Sequence, residues 1–172
     1  LRVCQGPDNR WGVGSFAFAP NSETLASVHG DNVLRIWDTS TAKVLHMLKG
    51  LADCRIAYSP NGEMLVSGGE GYTLRIWEVA TGKLLGSCSG HLGLPEQLDF
   101  TPDGKILVSK ARDRSVRLWD PETGKMLHVC EGHNLPIDNL VMAPDGKTFV
   151  SSDWGGDVIV WEIAALVAED AK

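Results

Sequence analysis

The sequence predicts an all-β fold, a propeller assembled from four repeated blades, and three observations carry that prediction. Trp37, Trp77, Trp119 and Trp161 recur 40, 42 and 42 residues apart, each closing a strand-like run: LRIWD, LRIWE, VRLWD and VIVWE. Seventeen residues before each Trp stands a proline: Pro20, Pro60, Pro102 and Pro144. Between these points the apolar residues alternate with period two, the pattern of half-buried strands. A period of this length with fixed internal spacing is one supersecondary unit repeated four times.

The first strand of each unit ends at the proline and carries Phe16 and Phe18, Ile56 and Tyr58, Leu98 and Phe100, or Leu140 and Met142. A tight turn follows, as PNG at 60–62 and PDG at 102–104 and 144–146. Asn or Asp followed by Gly supplies the positive-φ positions that a hairpin needs. Pro20-Asn21-Ser22 lacks the glycine, which predicts a looser first turn. The second strand reads TLAS (24–27), MLVS (64–67), ILVS (106–109) and TFVS (148–151), and the third carries the Trp. A fourth strand reads KVLHML (43–48), KLLGSC (83–88) and KMLHVC (125–130), leading to Gly50, Gly90 and Gly132. Four short antiparallel strands in roughly 40 residues form a propeller blade.

Composition narrows the function classes. Across 172 residues the hydrophobic share of 43% and the charged share of 22% belong to a folded chain. The net charge of −6, without a basic run, disfavours nucleic-acid backbones and anionic membrane surfaces as partners. No apolar stretch approaches the roughly 18–20 residues of a membrane span. The N-terminus has no targeting pattern and begins at Leu1 instead of Met, which suggests a trimmed chain or a domain cut from something longer. Cys88 and Cys130 share one repeat position, which Cys4 also fits, while Cys54 stands apart. Equivalent positions on successive blades are too far apart for a disulfide, whose Cα atoms lie within about 7 Å. No C-x-x-C spacing exists for metal or redox chemistry, so reduced structural thiols are expected.

These residues resemble the WD-repeat family over nearly the whole chain. The family pattern is a Gly-His pair before the first strand, a Ser or Thr on the second, an Asp in the next turn, and the Trp-Asp. Repeat three carries the full set as His91, Ser109, Asp113 and Trp119. Repeat four has His133, Ser151 and Trp161, with Gly155 where the Asp belongs. Repeat one keeps Ser27, Asp31 and Trp37 but has Pro7 in place of His. Repeat two has Ser67 and Trp77 alone, with Leu51 and Gly71 at the other two positions.

By composition Ser109, His91 and Asp113 could form a catalytic triad. The resemblance implies instead a structural chain of hydrogen bonds to the buried Trp119 indole, a donor that needs such a partner. A nucleophile also requires an open cleft and an oxyanion hole, for which the repeat offers no special loop.

The repeat order is offset from the blade order. Aligning Gly6 with Gly50, Gly90 and Gly132 makes Leu1–Gln5 a lone outer strand, and 164–172 follows the last Trp as a helix-prone or frayed tail. Residues 1–163 are thus expected to form a four-bladed unit. In the family such an offset strand completes the last blade and closes the ring. Four blades is the low limit for propellers, and the family's rings usually hold about seven or eight. An open arc would expose an apolar face at each end. Two arcs related by a two-fold axis would make an eight-bladed ring, each chain's Leu1–Gln5 completing the other's last blade. The rival is a fragment whose remaining blades are lost or lie on another chain.

The resemblance implies a protein-interaction platform on the face formed by the loops before each first strand and after each second strand. The residue before the Asp position is Gly30, Glu70, Arg112 or Trp154, and the first strands begin with residues including Cys54, Glu96 and Asp138. Trp11 and Trp154 are the two tryptophans outside the repeat series, and Trp and Arg are enriched at binding hot spots. The plainer expectation for Trp154 is that it folds over Gly155 and plugs its own blade. Arg35, Arg75 and Arg117 recur two residues before the Trp, as charges on the blade surface.

The sequence therefore points to a non-catalytic interaction or assembly module with protein partners, self-association and no cofactor. PDGK turns at 102–105 and 144–147 are common in bacterial members of the family, which suggests a cytoplasmic setting. Two alternatives remain: a split or engineered half-propeller with a mainly structural role, and a ligand or enzymatic site in the central channel. Against the latter, no metal-ligand cluster, paired-carboxylate motif or phosphate loop is present, and His29, His46 and His128 are scattered.

Overall fold

Alternating apolar residues, each run cut by a proline or glycine turn, fold into successive antiparallel hairpins. A computed structural model describes residues 1–6, 12–50 and 55–169. Blade one is β1 (Val13–Phe18), β2 (Thr24–His29), β3 (Val33–Asp38) and β4 (Val44–Leu48), hydrogen-bonded in that order. Blade two is β5 (Ile56–Tyr58), β6 (Met64–Gly68), β7 (Leu74–Glu78) and β8 (Leu84–Cys88). Blade three is β9 (Pro95–Phe100), β10 (Leu107–Ala111), β11 (Val116–Trp119) and β12 (Met126–Cys130). Blade four has three strands, β13 (Ile137–Met142), β14 (Thr148–Asp153) and β15 (Val158–Glu162), followed by α1 (Ile163–Glu169).

The turns explain two of the sequence signals. In the turn after the first strand, the N–H of Gly62, Gly104 or Gly146 reaches back to a carbonyl three residues earlier. Ser22 does the same at 2.8 Å, with φ at 61°. The first turn is therefore no looser than the others: a serine accepts the left-handed conformation that glycine adopts elsewhere. In blades one and three the Asp after the Trp caps the turn to the fourth strand. Asp38 accepts the N–H of Thr41 at 2.7 Å, and Asp120 accepts those of Glu122 and Thr123. Hydrogen bonds from Ser40 and then Thr41 hold the Asp38 carboxyl down at about 2.

The cores lie between blades. The first packs Ala26, Leu34, Ile36 and Leu48 of blade one against Ile56, Leu65 and Trp77 of blade two. The second sets Val66, Leu74, Ile76 and Cys88 against Leu98, Phe100, Leu107 and Trp119. The third sets Val108, Val116, Leu118 and Cys130 against Ile137, Leu140, Phe149 and Ile163, with Leu166 and Val167 of α1 at its margin. Each blade thus presents its Trp-bearing face to the blade before it. Cys88 and Cys130 are free thiols inside these layers, and burial pushes both up to about 12. Among the described residues, no helix is long and apolar enough to cross a membrane.

Candidate functional site

Register places the polar chains. On β10 and β11, Leu107 lies opposite Trp119 and Ser109 opposite Arg117, so Trp119 and Ser109 are diagonal neighbours on one face. The indole N–H donates to Ser109 Oγ at 2.8 Å, and the same bond joins Trp37 to Ser27, Trp77 to Ser67 and Trp161 to Ser151.

In blade three the chain continues from Ser109 Oγ to His91 Nε2 at 2.7 Å, and from His91 Nδ1 to Asp113 at 2.9 Å. Asp113 also accepts the N–H groups of Leu92 and Ser115. Burial works to raise the Asp113 carboxyl, and the bonds from His91, Leu92 and Ser115 outweigh it, holding it well below the usual range. The ionised Asp113 carboxylate can only accept, so His91 Nδ1 carries a proton toward it, and in the neutral ring Nε2 accepts the Ser109 hydroxyl proton. That sense of bonding is also found in a triad. Here, however, Ser109 is buried and its oxygen faces the indole, so a substrate has no approach to it.

Blade four corrects the sequence reading. His133 Nε2 meets Ser151 Oγ at 2.7 Å, and its Nδ1 meets Asp153 at 2.9 Å. The acid is present, two positions before Gly155, and a Cβ at Gly155 would stand 3.1 Å from the Asp153 carboxylate. Trp154 has no gap to plug: it is 74% exposed. The hydrogen bond from His133, opposed by burial, holds the Asp153 carboxyl low.

Blade one differs again. His29, not assigned a place in the sequence reading, meets Ser27 Oγ at 2.8 Å from its own strand. Burial and then the Arg35 charge lower its pKa, keeping the ring neutral. Asp31 instead binds Arg35 at 2.6 Å. Arg35 is buried, and Arg117 reaches Asp113 at 3.6 Å, so these are not blade-surface charges. In blade two, among the described residues, Ser67 meets its indole alone, and Arg75 donates to the Lys49 carbonyl. The residue two after the Ser completes the chain in blades one and four, as His29 and Asp153, whereas Gly69 and Ala111 stand there in blades two and three.

The first strands of all four blades line a cavity of about 1210 Å³, which brings together Glu96, Arg112, Asp138 and Trp154. Glu96 accepts from Arg112 Nε at 2.6 Å and lies 3.7 Å from Lys110 Nζ. Lys110 donates to the carbonyls of Ile137 and Asp138, at 2.9 and 2.6 Å, and so ties blade three to blade four. Burial lowers its pKa, with Glu96 opposing. Lys110 went unremarked in the sequence, although a lysine following Ser109 on an inner strand is a visible break in the pattern. Glu70 lies apart in a short 3-10 turn (Glu70–Tyr72), exposed and away from the cavity lining. Trp11, Cys54, Pro7 and Leu51 lie outside the described residues. No group of three or more His, Cys, Asp or Glu suited to a metal ion occurs among the described residues.

The family described as "WD domain, G-beta repeat" matches residues 1–38, 44–78, 82–120 and 124–162. The later matches begin at or just before an outer strand, β4, β8 or β12, and run through the next blade's Trp; the first begins at Leu1. No curated protein matches the chain. Among solved structures, the computationally designed Ika4 protein is 27% identical with a TM-score of 0.79, over 90% of this chain and 93% of that one.

Proposed function

The chain belongs to the WD-repeat family, and we propose that it works as a non-catalytic protein-interaction module. The observation that carries this reading is Trp154, a large aromatic held exposed at the rim of a charged cavity beside Arg112 and Glu96. An exposed Trp and an Arg lining one cavity have the composition of a binding hot spot. The polar trio that could suggest hydrolysis is buried, which favours a scaffold over an enzyme. The test compares proteins retained from a lysate of the source cells by the immobilised chain and by its Trp154→Ala variant. Loss of a specific partner with an unchanged circular dichroism spectrum supports the reading. An identical retained set overturns Trp154 as the contact.

A second reading, assembly with another copy, is favoured by the two ends of the arc. Phe16 and Phe18 on blade one and Val158 and Val160 on blade four are exposed, whereas their counterparts inside the arc are largely buried. A chain with two such faces lowers its free energy by covering them.

A further inference from the structure

A β-bulge recurs on the first strands that line the cavity. The extra residue is Gly14 in blade one, Glu96 in blade three and Asp138 in blade four, and all three line the cavity. A bulge leaves backbone groups out of the ladder and re-aims the side chain at its apex. In blade four, groups at the bulge are met from another blade. Lys110 reaches across the junction from β10, and its ammonium donates to the carbonyls of Ile137 and Asp138 at 2.9 and 2.6 Å. Gln97 of β9 reaches the same strand: its side-chain amide accepts the Leu140 N–H at 3.1 Å and donates to the Leu140 carbonyl.

Blade packing alone does not call for these two links. The place of Lys110 is held elsewhere by Val28, Gly68 and Ser152, and that of Gln97 by Ser15, Arg55 and Asn139. Blades one and two use other contacts, a hydroxyl pair of Thr24 with Tyr58 and a bond from His46 to the Ala80 carbonyl. Among the described residues, no side chain at the first two junctions bonds the main chain of the next blade's first strand. Those junctions still pack apolar layers of the same kind as the third.

What distinguishes the third junction is the candidate interaction site astride it. On the blade three side, Lys110 stands 3.7 Å from one oxygen of Glu96, whose other oxygen accepts from Arg112 Nε at 2.6 Å. On the blade four side, the residue before Ile137 is Pro136, whose carbonyl accepts the Trp154 N–H at 3.1 Å. One ammonium therefore touches both halves: the carboxylate that holds Arg112 and the strand segment that holds Trp154. Its side chain is 6% exposed, so Lys110 is not itself offered to a partner. Burial works against its charge, and the Glu96 and Asp138 carboxylates favour the charged form, which has three donors for these acceptors.

We propose that Lys110 is the positioning residue of the interaction site, setting Arg112 on blade three and Trp154 on blade four at one spacing, with Gln97 holding the same strand. The inference rests on the reading of Trp154 as a protein contact, and adds what holds that contact in place against Arg112.

The test reads Trp154 directly, with no partner present. The full chain is labelled with fluorotryptophan, and the fluorine resonance of Trp154 is assigned by its loss in Trp154→Phe. Lys110→Met keeps most of the aliphatic chain and removes the donors. It is expected to shift and broaden the Trp154 resonance while those of Trp37 and Trp77 stay in place. Glu96→Gln removes a charge from the blade three half alone and is expected to leave the Trp154 resonance where it is. A Trp154 resonance unmoved in Lys110→Met overturns the proposal. An equal movement in Glu96→Gln also overturns it, because the signal then reports charge and not the main-chain route. Movement of Trp37 and Trp77 in Lys110→Met overturns it too, since Lys110 then supports the whole fold. None of these outcomes alters the retention test of Trp154→Ala, which bears on the interaction reading alone.

Discussion

Replacing Ser109 with Ala removes one hydroxyl that serves two buried partners, and the cost follows from counting them. The oxygen accepts from Trp119 Nε1 at 2.8 Å and bonds His91 Nε2 at 2.7 Å, and all three residues are buried. Each buried polar group left without a partner costs about 1–3 kcal/mol, so Ser109→Ala is expected to cost about 2–6 kcal/mol. Ser67 is an internal control: its hydroxyl meets Trp77 Nε1 at 2.9 Å, with no histidine bonded to it. Ser67→Ala leaves one orphan and is expected to cost about 1–3 kcal/mol. Urea unfolding followed by tryptophan fluorescence and circular dichroism measures both. For a slope of about 2 kcal/mol per M, the Ser109 variant should unfold at a midpoint about 1 M below the Ser67 variant. Equal midpoints, or a larger loss at Ser67, would refute the claim that the His91 leg of the chain contributes to stability.

Two further outcomes follow from the same structure. Gly124→Ala puts a Cβ 2.5 Å from the Ser87 carbonyl oxygen at a φ of +72°, whereas Gly71→Ala at φ +68° meets open space. Both bear the left-handed penalty of about 1–2 kcal/mol, and the Gly124 variant should lose at least about 1 kcal/mol more in the same urea assay. Asp113 titrates below the ordinary aspartate value of about 3.9 in the folded chain, so its stabilisation is present above that pH and is lost as pH falls through the lower folded value. Unfolding free energies from pH 6 down to pH 2 should therefore fall less steeply in Asp113→Asn than in the unmodified chain, and parallel slopes would contradict this.

The periodic features were legible because backbone geometry imposes them. A proline ending the first strand, a turn residue and a Trp on the third strand each answer a local conformational need that recurs at the same position. The polar chains were only partly legible, because a hydrogen bond requires an atom within reach and not a position in the repeat. Asp153 meets His133 from the end of β14 as well as Asp113 meets His91 from the turn. At the family's Asp position stands Gly155, so position alone predicts no acid in blade four. His29 was passed over in the same way: it reaches Ser27 along its own strand instead of from the preceding loop. The recurring arginines read as surface charge, yet Arg35 is buried against Asp31. Lys110 escaped notice because its partners are main-chain carbonyls of the next blade, which leave no mark in the sequence.

The reading proposed for the exposed faces of blades one and four, that another copy of this chain covers them, is tested most directly by the mass of the chain in solution. Light scattering on the purified chain at micromolar concentration should give twice the 18.6 kDa of one chain, with no larger species as concentration rises. A mass of one chain across that range would contradict the account, since the exposed faces around Phe16 and Val160 would then stand uncovered in water.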